Sequence, residues 1–359
     1  MMKHEEKTGI TAAIGRVAVT IALIATGMVA ATALGGCAAK TSQAPLTSVA
    51  VFIPGVVSGS PTYEELVAGV TKAVSATKGA TMKVIEGGYN QGEWQDRLAA
   101  VAASGQFGLI VTSNPSMPEL CAAVAKQFPK IRFLVTDGWL QGNPAIHTIL
   151  YNQYEQAWII GYLAGLVATT PVGGHKPHGM AAMVVGQHYP TLDRLIEPGF
   201  EAGLRAADPE ARFADRVLGN WYDANKAAEL AKSLIAEGAD IILPIAGGAG
   251  QGVLTAAKEA GIKALWFDNS GYALAPGVVV GSAIARQDRL VEEKLSTILS
   301  GKGASLFGTA EVVSAAQGYI DFDDSGEAYK NLPQSIRDAM TKQIAALRDG
   351  SLAFPINGF

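Results

Sequence analysis

ADIILPIAGGAGQGVLTAAKEAGIKALWFDNS, at residues 239–270, is the stretch that decides the fold. It contains a short apolar run, Ile241–Ile245, without polar alternation, which is typical of a strand buried on both faces of a parallel sheet. Several glycines follow, and Val253–Ala260 then has the apolar spacing of a helix. A second apolar run, Lys263–Phe267, comes after the helix. The pattern predicts a strand, a glycine turn, a helix and a second strand.

Polar or glycine residues follow both strands of this unit. Ligands of open α/β sheets bind at the carboxyl ends of the strands, so we expect half of a ligand cleft here. Asp268 follows the second strand, and its carboxylate has the geometry to accept two hydrogen bonds from neighbouring sugar hydroxyls. The alternative is an aspartate that caps the following turn. Gly247 and Gly248 follow the first strand, and we expect them to form a tight turn at the cleft wall that lets a ligand approach the main chain.

The same alternation of apolar strands and amphipathic helices runs along most of the chain, which predicts an α/β fold with parallel sheets flanked by helices. A first run ends with the predicted strand Ile146–Tyr151, and an apolar helix, Tyr154–Thr169, opens a second run with the same layout. Gly161 and Gly165 in that helix favour close helix packing. We predict two lobes joined by several chain crossings, with 47–150 plus 283–305 as the first lobe and 151–282 plus 306–359 as the second.

Net charge argues against a nucleic-acid partner, and the cysteine content argues against a reactive thiol. The net charge is −4 and no block of Lys or Arg is present, so we expect no nucleic-acid partner. Cys121 lies in a predicted helix, and we expect a buried, unreactive thiol.

The first residues have the layout of a secretory signal. Basic residues precede Val17–Leu34, an 18-residue run without a charged side chain, for which a retained transmembrane helix is the alternative. The run ends in Leu34-Gly35-Gly36-Cys37, which resembles the sequence before a lipidated cysteine of bacterial lipoproteins. We predict a signal peptide at residues 1–36, a lipid anchor at Cys37, a tether at residues 37–46, and an extracytoplasmic, membrane-anchored protein.

Further candidates for ligand binding lie at the carboxyl ends of other predicted strands. Asn114 and Asp137 end two strands of the first lobe, and both residue types also stabilise turns without a ligand. Gln187 and Tyr189 follow a strand of the second lobe. Trp221 and Tyr222 follow another, and we expect Trp221 to stack on a ligand and its neighbour to belong to the core.

The sequence lacks the signatures of catalysis and of metal binding. It contains no GxSxG or HExxH motif and no cysteine–histidine pairing typical of a nucleophilic site. His147, His175, His178 and His188 lack the spacing of metal ligands. We therefore expect no enzyme activity, no catalytic residues, no metal and no cofactor.

Four patches together carry a family resemblance that covers roughly residues 47–350. They are Glu155–Gly165 (EQAWIIGYLAG), Gly199–Gly203 (GFEAG), Gly219–Asp223 with Lys226, and the opening stretch. With these patches the chain resembles the basic membrane protein family of bacterial lipoproteins, which are purine-nucleoside-receptor-like substrate-binding proteins of ABC importers.

The resemblance implies a type I periplasmic-binding-protein fold, with two Rossmann-like lobes, a multi-strand hinge and closure on the ligand. It implies that aromatic rings, here Trp221 and Tyr63, sandwich a base, and that Asp268 binds ribose hydroxyls. The family's aromatic–asparagine motif near Tyr63 is not kept. Its ribose-binding lysine is also missing, since Ala285 stands at that place and strand alternation points Arg286 the other way.

These observations favour a lipid-anchored, monomeric solute receptor that binds a nucleoside, with purine nucleosides favoured, or a related small polar ligand. Its partners would be the permease and ATPase subunits of an ABC transporter. Two alternatives stay open at this point: a surface adhesion lipoprotein on the same scaffold, and a nucleoside-processing enzyme.

Overall fold

The computed structural model describes residues 44–172, 174 and 176–356. The elements of the first half are β1 Ser48–Ile53, α1 Pro61–Ser75, β2 Thr81–Glu86, α2 Trp94–Ala103, β3 Leu109–Ser113, α3 Met117–Gln127, β4 Arg132–Thr136, β5 Ile146–Tyr151 and α4 Gln153–Thr169. The remaining elements are β6 Met180–Val185, α5 Glu197–Ala207, β7 Arg212–Val217, α6 Ala224–Ala236, β8 Ile241–Ile245, α7 Gly250–Ala260, β9 Lys263–Asp268, β10 Val279–Ala285, α8 Gln287–Leu299, β11 Ala310–Val313, β12 Ile320–Asp323, α9 Glu327–Lys330 and α10 Gln334–Arg348.

The described strands form two six-stranded sheets, each the centre of one lobe. The first sheet has the order β11-β5-β4-β3-β1-β2, and the second has the order β12-β10-β9-β8-β6-β7. The recorded strand pairs are parallel except for β10 with β12, which is antiparallel. The predicted α/β class with parallel sheets is confirmed.

The described chain passes between the two sheets three times: after β5, after β10 and after β11. These crossings differ from the sequence assignment in two places. Ala310–Val313 pairs with β5 in the first sheet, although we assigned 306–359 to the second lobe. Ala283–Ala285 belongs to β10 in the second sheet, although we assigned it to the first lobe. The apolar pattern of a strand is the same whichever sheet the strand joins, so sequence alone could not place these segments. The remaining boundaries stay a prediction.

The core extends through both lobes. All five residues of β8 are buried, as expected for a strand covered on both faces. One apolar cluster connects β1 and α1 of the first lobe with α4, α5 and β10 of the second. Close packing of α4 on α5 depends on glycine, because a Cβ on Gly161 would lie 2.1 Å from the carbonyl oxygen of Phe200. The predicted role of the glycine spacing is confirmed.

We also predict from the sequence a single helix over Leu192–Ala207, but the structure divides this segment into two elements. Leu192–Ile196 forms a π-helical turn, and α5 begins at Glu197. Pro198 stands in the first turn of α5, where its missing N–H interrupts the α-helical hydrogen bonding of the preceding turn. The proline therefore explains the difference.

Most of the N-terminal prediction, including Cys37, lies outside the described residues. The described end of the tether is packed against the domain: a Cβ on Gly108 would lie 2.4 Å from the carbonyl oxygens of Ala44 and Pro45. Leu46 packs against the core. Cys121 is fully buried, as predicted. Within residues 44–356, as far as they are described, no helix has the length and apolar character needed to cross a bilayer.

Candidate functional site

Two aspartates stand at the carboxyl ends of strands in the unusual left-handed backbone region. Asp137 directly follows β4 and has φ 54°, and Asp268 ends β9 and has φ 74°. For a residue with a side chain, this backbone conformation has a higher free energy, and such strain is concentrated at functional sites. The two positions that the sequence selected as strand ends are therefore also conformationally special.

The Asp268 carboxylate joins the two lobes. Its Oδ2 accepts a hydrogen bond from Thr62 Oγ1 of α1 at 3.3 Å, and its Oδ1 accepts one from Gln156 Nε2 of α4 at 3.3 Å. Burial raises the pKa of Asp268, and the hydrogen bonds from Gln156 and Thr62 act in the opposite direction. The recorded partners of this carboxylate are side chains from both lobes, which differs from an aspartate that only caps its own turn.

Asp137 differs from Asp268 at one of its two side-chain oxygens. Its Oδ1 is buried and makes no hydrogen bond to any described residue. Burial, together with the negative charge of Asp268, raises the pKa of Asp137 well above its usual range. Burial also raises the pKa of Tyr189, with the Asp137 charge as the next cause. Tyr189 belongs to the second lobe and Asp137 to the first, so this charge acts from one lobe on the other.

The first lobe holds Tyr63 in place through its hydroxyl. Tyr63 Oη donates to the carbonyl oxygen of Pro54 at 3.1 Å and accepts from Asn114 Nδ2 at 3.3 Å. The other end of the Asn114 amide accepts from the backbone N–H of Ser116 at 2.9 Å. Asn114 therefore does perform the turn chemistry that was the alternative to ligand binding, and it also orients Tyr63. Direct ligand contact by either residue stays a prediction.

The second lobe contributes an aromatic pair next to an amide. Trp221 Nε1 donates to Gln187 Oε1 at 3.1 Å, and the rings of Tyr189 and Trp221 lie 5.9 Å apart. A Cβ on Gly186 would lie only 2.5 Å from the indole ring, so this position requires glycine for the ring to approach. Three of the sequence candidates, Gln187, Tyr189 and Trp221, are thus brought together.

Gly247 and Gly248 lie against the main chain of Trp221. A Cβ on Gly247 would lie 3.3 Å from the Trp221 carbonyl oxygen, and Ala249 N donates to the same oxygen at 3.2 Å. The glycines form a short turn that ends where α7 begins. The turn therefore supports the Trp221 segment, and its contact with a ligand remains a prediction.

Tyr222 does not belong to the core, contrary to our expectation. It is 65% exposed, and its ring lies 6.0 Å from that of Tyr89, which follows β2 in the first lobe. The sequence could not show that these adjacent rings point in different directions. Trp221 turns toward Gln187, whereas Tyr222 turns toward the other lobe. The Tyr89–Tyr222 pair is a contact between the lobes.

Sequence reasoning missed a buried hub at Gln287, the first residue of α8. Its side-chain oxygen accepts hydrogen bonds from Ser113 at 3.0 Å and Thr136 at 2.9 Å, and its amide donates to the carbonyl oxygen of Thr62. Gln287 is only 1% exposed. Its position shortly after the buried strand β10 could have identified it, because we selected the other candidates by their position after a strand.

Arg286, the basic residue after β10, is paired with an acidic residue away from Asp268. Arg286 forms an ion pair with Asp321 at 3.5 Å and lines a surface hollow of about 720 Å³ that includes Asp323 and Asp324. Ala285 is buried. The expectation that Arg286 points away from Asp268 agrees with this ion pair.

A three-residue group with metal-ligand chemistry lies beside the second-lobe candidates. His188, Asp193 and Glu197 offer ligand atoms within 4.8 Å of one another, a proximity that the histidine spacing did not reveal. His188 and Asp193 are exposed and pair directly at 2.8 Å. This pairing satisfies both groups without an ion, so the group carries no metal assignment, and the absence of a metal stays a prediction.

A profile of the Bmp family, described as ABC transporter substrate-binding protein PnrA-like, matches residues 46–350. The chain belongs to the Bmp family. The predicted family is thereby confirmed, and Bmp proteins are substrate-binding components rather than enzymes.

Several curated relatives of this Bmp protein match it over part of their length. A CD4+ T-cell-stimulating antigen of Listeria monocytogenes is 28% identical over 158 residues, 44% of this chain and 42% of the relative. The ABC transporter nucleoside-binding protein BmpA of Lactococcus lactis is 26% identical over 143 residues, 40% of this chain and 38% of the relative. A purine-binding protein of Brucella abortus is 27% identical over 136 residues, 37% of this chain and 35% of the relative. Each match spans less than half of the relative's length.

Solved structures establish the fold. An ABC transporter solute-binding protein of Aeropyrum pernix K1 has a TM-score of 0.74 at 18% identity, covering 87% of this chain and 93% of that chain. A Caulobacter myo-inositol-binding protein has a TM-score of 0.60 at 15% identity, covering 82% of this chain and 97% of that chain. The predicted type I periplasmic-binding-protein fold is confirmed, and at these identities the likeness extends to the fold alone.

Proposed function

We propose that this Bmp-family chain is the solute-binding component of an ABC importer and binds a nucleoside, preferably a purine nucleoside, in the cleft between its lobes. The observation that carries the proposal is the Asp268 carboxylate, which receives donors from both lobes and stands among side chains suited to a base and a sugar. The names of the Lactococcus and Brucella relatives, a nucleoside-binding and a purine-binding protein, support the ligand class.

The geometry fits a ligand held from two sides. A purine ring presents two apolar faces, and an aromatic side chain on each face would hold it by stacking. Tyr63 is fixed in the first lobe, and Tyr189 with Trp221 is fixed in the second. Ribose hydroxyls are donors, and Asp268 is an acceptor already shared by the two lobes. If a ligand replaced Thr62 as the donor to Asp268, the two lobes would stay linked through the ligand.

Closure follows from the same arrangement. A ligand that contacts both lobes stabilises the closed form by the difference between its affinities for the closed and open forms. The closed form would then be presented to the permease and ATPase subunits of the transporter. We propose a monomer that binds without turnover, anchored to the membrane through a lipid on Cys37.

The test is calorimetric titration of the ligand-free protein, after denaturation and refolding to remove bound solutes. Adenosine, guanosine, inosine, cytidine, uridine, ribose and free adenine form the panel. We expect purine nucleosides to bind most tightly, with Kd values of about 1 μM or below, as 1 μM corresponds to about −8 kcal/mol. Failure of every nucleoside to bind would overturn the proposed ligand class.

The anchor is tested separately by mass spectrometry of the N-terminal peptide. A lipid-modified Cys37 is expected at the N-terminus of the protein extracted from membranes. An unmodified peptide that begins upstream of Cys37 would contradict the lipid anchor without affecting the ligand proposal.

A further inference from the structure

We propose that Gln156 is a positioning residue for ligand recognition: its amide holds the Asp268 carboxylate in the second lobe, so that the other carboxylate oxygen is presented to the ligand. This inference rests on the proposed function, because it concerns how Asp268 recognises ribose hydroxyls. It starts from the two hydrogen bonds of Asp268, which are made to different lobes.

The two oxygens of Asp268 have partners of different kinds. Oδ2 accepts from Thr62 of α1 in the first lobe, and Oδ1 accepts from Gln156 of α4 in the second. When the lobes separate, the contact with Thr62 is broken, whereas Gln156 and Asp268 move together as parts of one lobe. A ligand hydroxyl can therefore replace Thr62, and Gln156 holds the carboxylate both before and after the ligand arrives.

Close packing of α4 on β10 brings Gln156 to this place. Gln156, Ile160 and Leu163 have the spacing i, i+4 and i+7, so they share one face of the helix. A Cβ on Gly281 of β10 would lie 2.3 Å from Leu163 Cδ2 and 3.3 Å from Ile160 Cδ1. The helix therefore lies directly on the strand because this position is glycine, and the first residue of the same face reaches the strand end.

The amide of Gln156 joins the ends of two neighbouring strands. Its Nε2 donates to Asp268 Oδ1 of β9 at 3.3 Å and to the carbonyl oxygen of Ala283 in β10 at 3.2 Å. The two acceptors are adjacent, because Ile284 lies opposite Asp268 in the register of these strands. An amide nitrogen has two N–H donors, and attaching both fixes the direction of the amide. The hydrogen bond to Asp268 therefore restrains the rotation of its carboxylate.

Packing alone does not account for a glutamine at this position. Gln156 is fully buried, and its Oε1 has no hydrogen-bond partner among the described residues. An apolar side chain of similar length would fill the same space without leaving a buried acceptor unsatisfied. The N–H donors are the part that the site uses. Burial raises the pKa of Asp268, and of the two hydrogen bonds that lower it the one from Gln156 has the larger effect.

A restrained carboxylate gives the role a measurable signature. A freely rotating side chain loses conformational freedom when a ligand binds, and a side chain that is already held loses less. Gln156 should therefore strengthen the binding of ligands whose hydroxyls reach Asp268, and it should have little effect on ligands that lack those hydroxyls. A residue that only packs in the core would affect both kinds of ligand equally.

The experiment is calorimetric titration of the full-length, ligand-free protein in detergent with adenosine and with 2′,3′-dideoxyadenosine, which lacks both ribose hydroxyls at those positions. We expect the wild type to prefer adenosine about 100-fold, as for hydrogen bonds to a charged acceptor. Gln156→Met keeps the length of the side chain and removes the N–H donors. It should weaken adenosine binding about 10-fold and change binding of the dideoxynucleoside less than about twofold.

Gln153→Met is the matched control. Gln153 is a buried glutamine of the same helix whose Oε1 also lacks a partner among the described residues, and no hydrogen bond from it to Asp268 is recorded. This variant should keep the preference for adenosine. If Gln156→Met does not fold, Gln156→Asn replaces it: the shorter side chain keeps a polar group in the buried site but withdraws the amide from Asp268, so the preference should again fall.

A double variant separates positioning from a direct contact with the ligand. Asp268→Ala with Gln156→Met should bind adenosine like Asp268→Ala alone, because no carboxylate is left to hold. Independent losses that add in the double variant would show that Gln156 acts without Asp268.

Three further results would also overturn the inference. One is an unchanged preference for adenosine in the Gln156 variant, and another is equal weakening of both nucleosides, which would be a packing effect. A wild type that binds the two nucleosides equally tightly would remove the hydroxyl recognition on which the role depends. All of these leave nucleoside binding itself intact. Failure of both nucleosides to bind the wild type would remove the proposed function together with the inference.

Discussion

Asp137 and Asp268 occupy equivalent places in the two lobes and differ in what surrounds them. Each stands at the carboxyl end of a parallel strand with a left-handed backbone. Asp268 receives hydrogen bonds from Thr62 of one lobe and Gln156 of the other. Asp137 has a buried oxygen without a partner among the described residues. We propose that the difference separates two tasks: Asp268 joins the lobes, and Asp137 is available to the ligand.

The largest expected effect is the loss of binding in Asp268→Ala. Hydrogen bonds to a charged group are worth about 1.5–3 kcal/mol each, so losing those between the carboxylate and the ligand should weaken nucleoside binding about 100-fold. Calorimetric titration measures the change. Glu259→Ala, at an exposed carboxylate near the C-terminal end of α7, is the control and should bind like the wild type. Unchanged affinity in Asp268→Ala would place the cleft elsewhere.

Stability of the ligand-free protein distinguishes the two aspartates directly. Asp137→Asn removes a carboxyl group whose raised pKa makes it take up a proton on folding at neutral pH, so it should raise Tm, whereas Asp268→Asn weakens two hydrogen bonds and should lower it. Each change is expected to be on the order of 1 kcal/mol, or about 2–4 °C. Differential scanning calorimetry of the refolded proteins measures both shifts. Shifts of the same sign would break the comparison.

Sequence reasoning located the strand ends but not the contacts that distinguish them. The strand Ile241–Ile245 could be predicted because a buried strand is a local apolar run. Asp268 could be predicted as a strand end because it directly follows such a run. The partners Thr62 and Gln156 lie 206 and 112 residues from Asp268, and no local pattern connects such positions.

The same limit explains two further differences from the sequence predictions. Ile320–Asp323 alternates buried and partly exposed residues over only four positions, too few for the pattern to be recognised as a strand. We assigned Tyr222 to the core because we expected its neighbour Trp221 to face the ligand. The strand before the two residues does not show which way either ring points. Side-chain direction at a strand end depends on the opposite lobe, here on Tyr89.

A smaller effect is expected from Glu65, a third carboxyl group near Asp268. Burial, with the charges of Asp288 and Asp268, raises the pKa of Glu65 to about 8, against the lowering effects of the Gln287 N–H and Arg286. A carboxyl group with a raised pKa takes up a proton on folding, so its contribution lowers the free energy of unfolding as pH rises from about 5 to about 8.

Denaturation at several pH values checks this sign. Glu65→Gln keeps an acceptor for the Gln287 N–H and removes the titration, so its stability should fall less steeply over that range than that of the wild type. Glu64→Gln, on the exposed side of the same helix, is the control. Equal slopes in wild type and Glu65→Gln would contradict the raised pKa.

The smallest effect is expected at the aromatic contact between the lobes. Tyr89 and Tyr222 are each more than half exposed, at 61% and 65%, so their pairing contributes little beyond about 0.5–1 kcal/mol. Tyr89→Ala should therefore increase the ligand dissociation rate about threefold and leave the association rate nearly unchanged. Stopped-flow measurements test this, and the double variant with Tyr222→Ala should add nothing further. Additive effects would mean that the two rings do not act as a pair.

The central claim is that a ligand lies between Asp137 and Asp268, and a crystal structure of the protein with its tightest-binding nucleoside tests it most directly. The account predicts the sugar hydroxyls on Asp268, the base between Tyr63 and Trp221, and a donor of the ligand on Asp137 Oδ1. A ligand bound outside this cleft, or one in the cleft that leaves both aspartates without contact, would contradict the account.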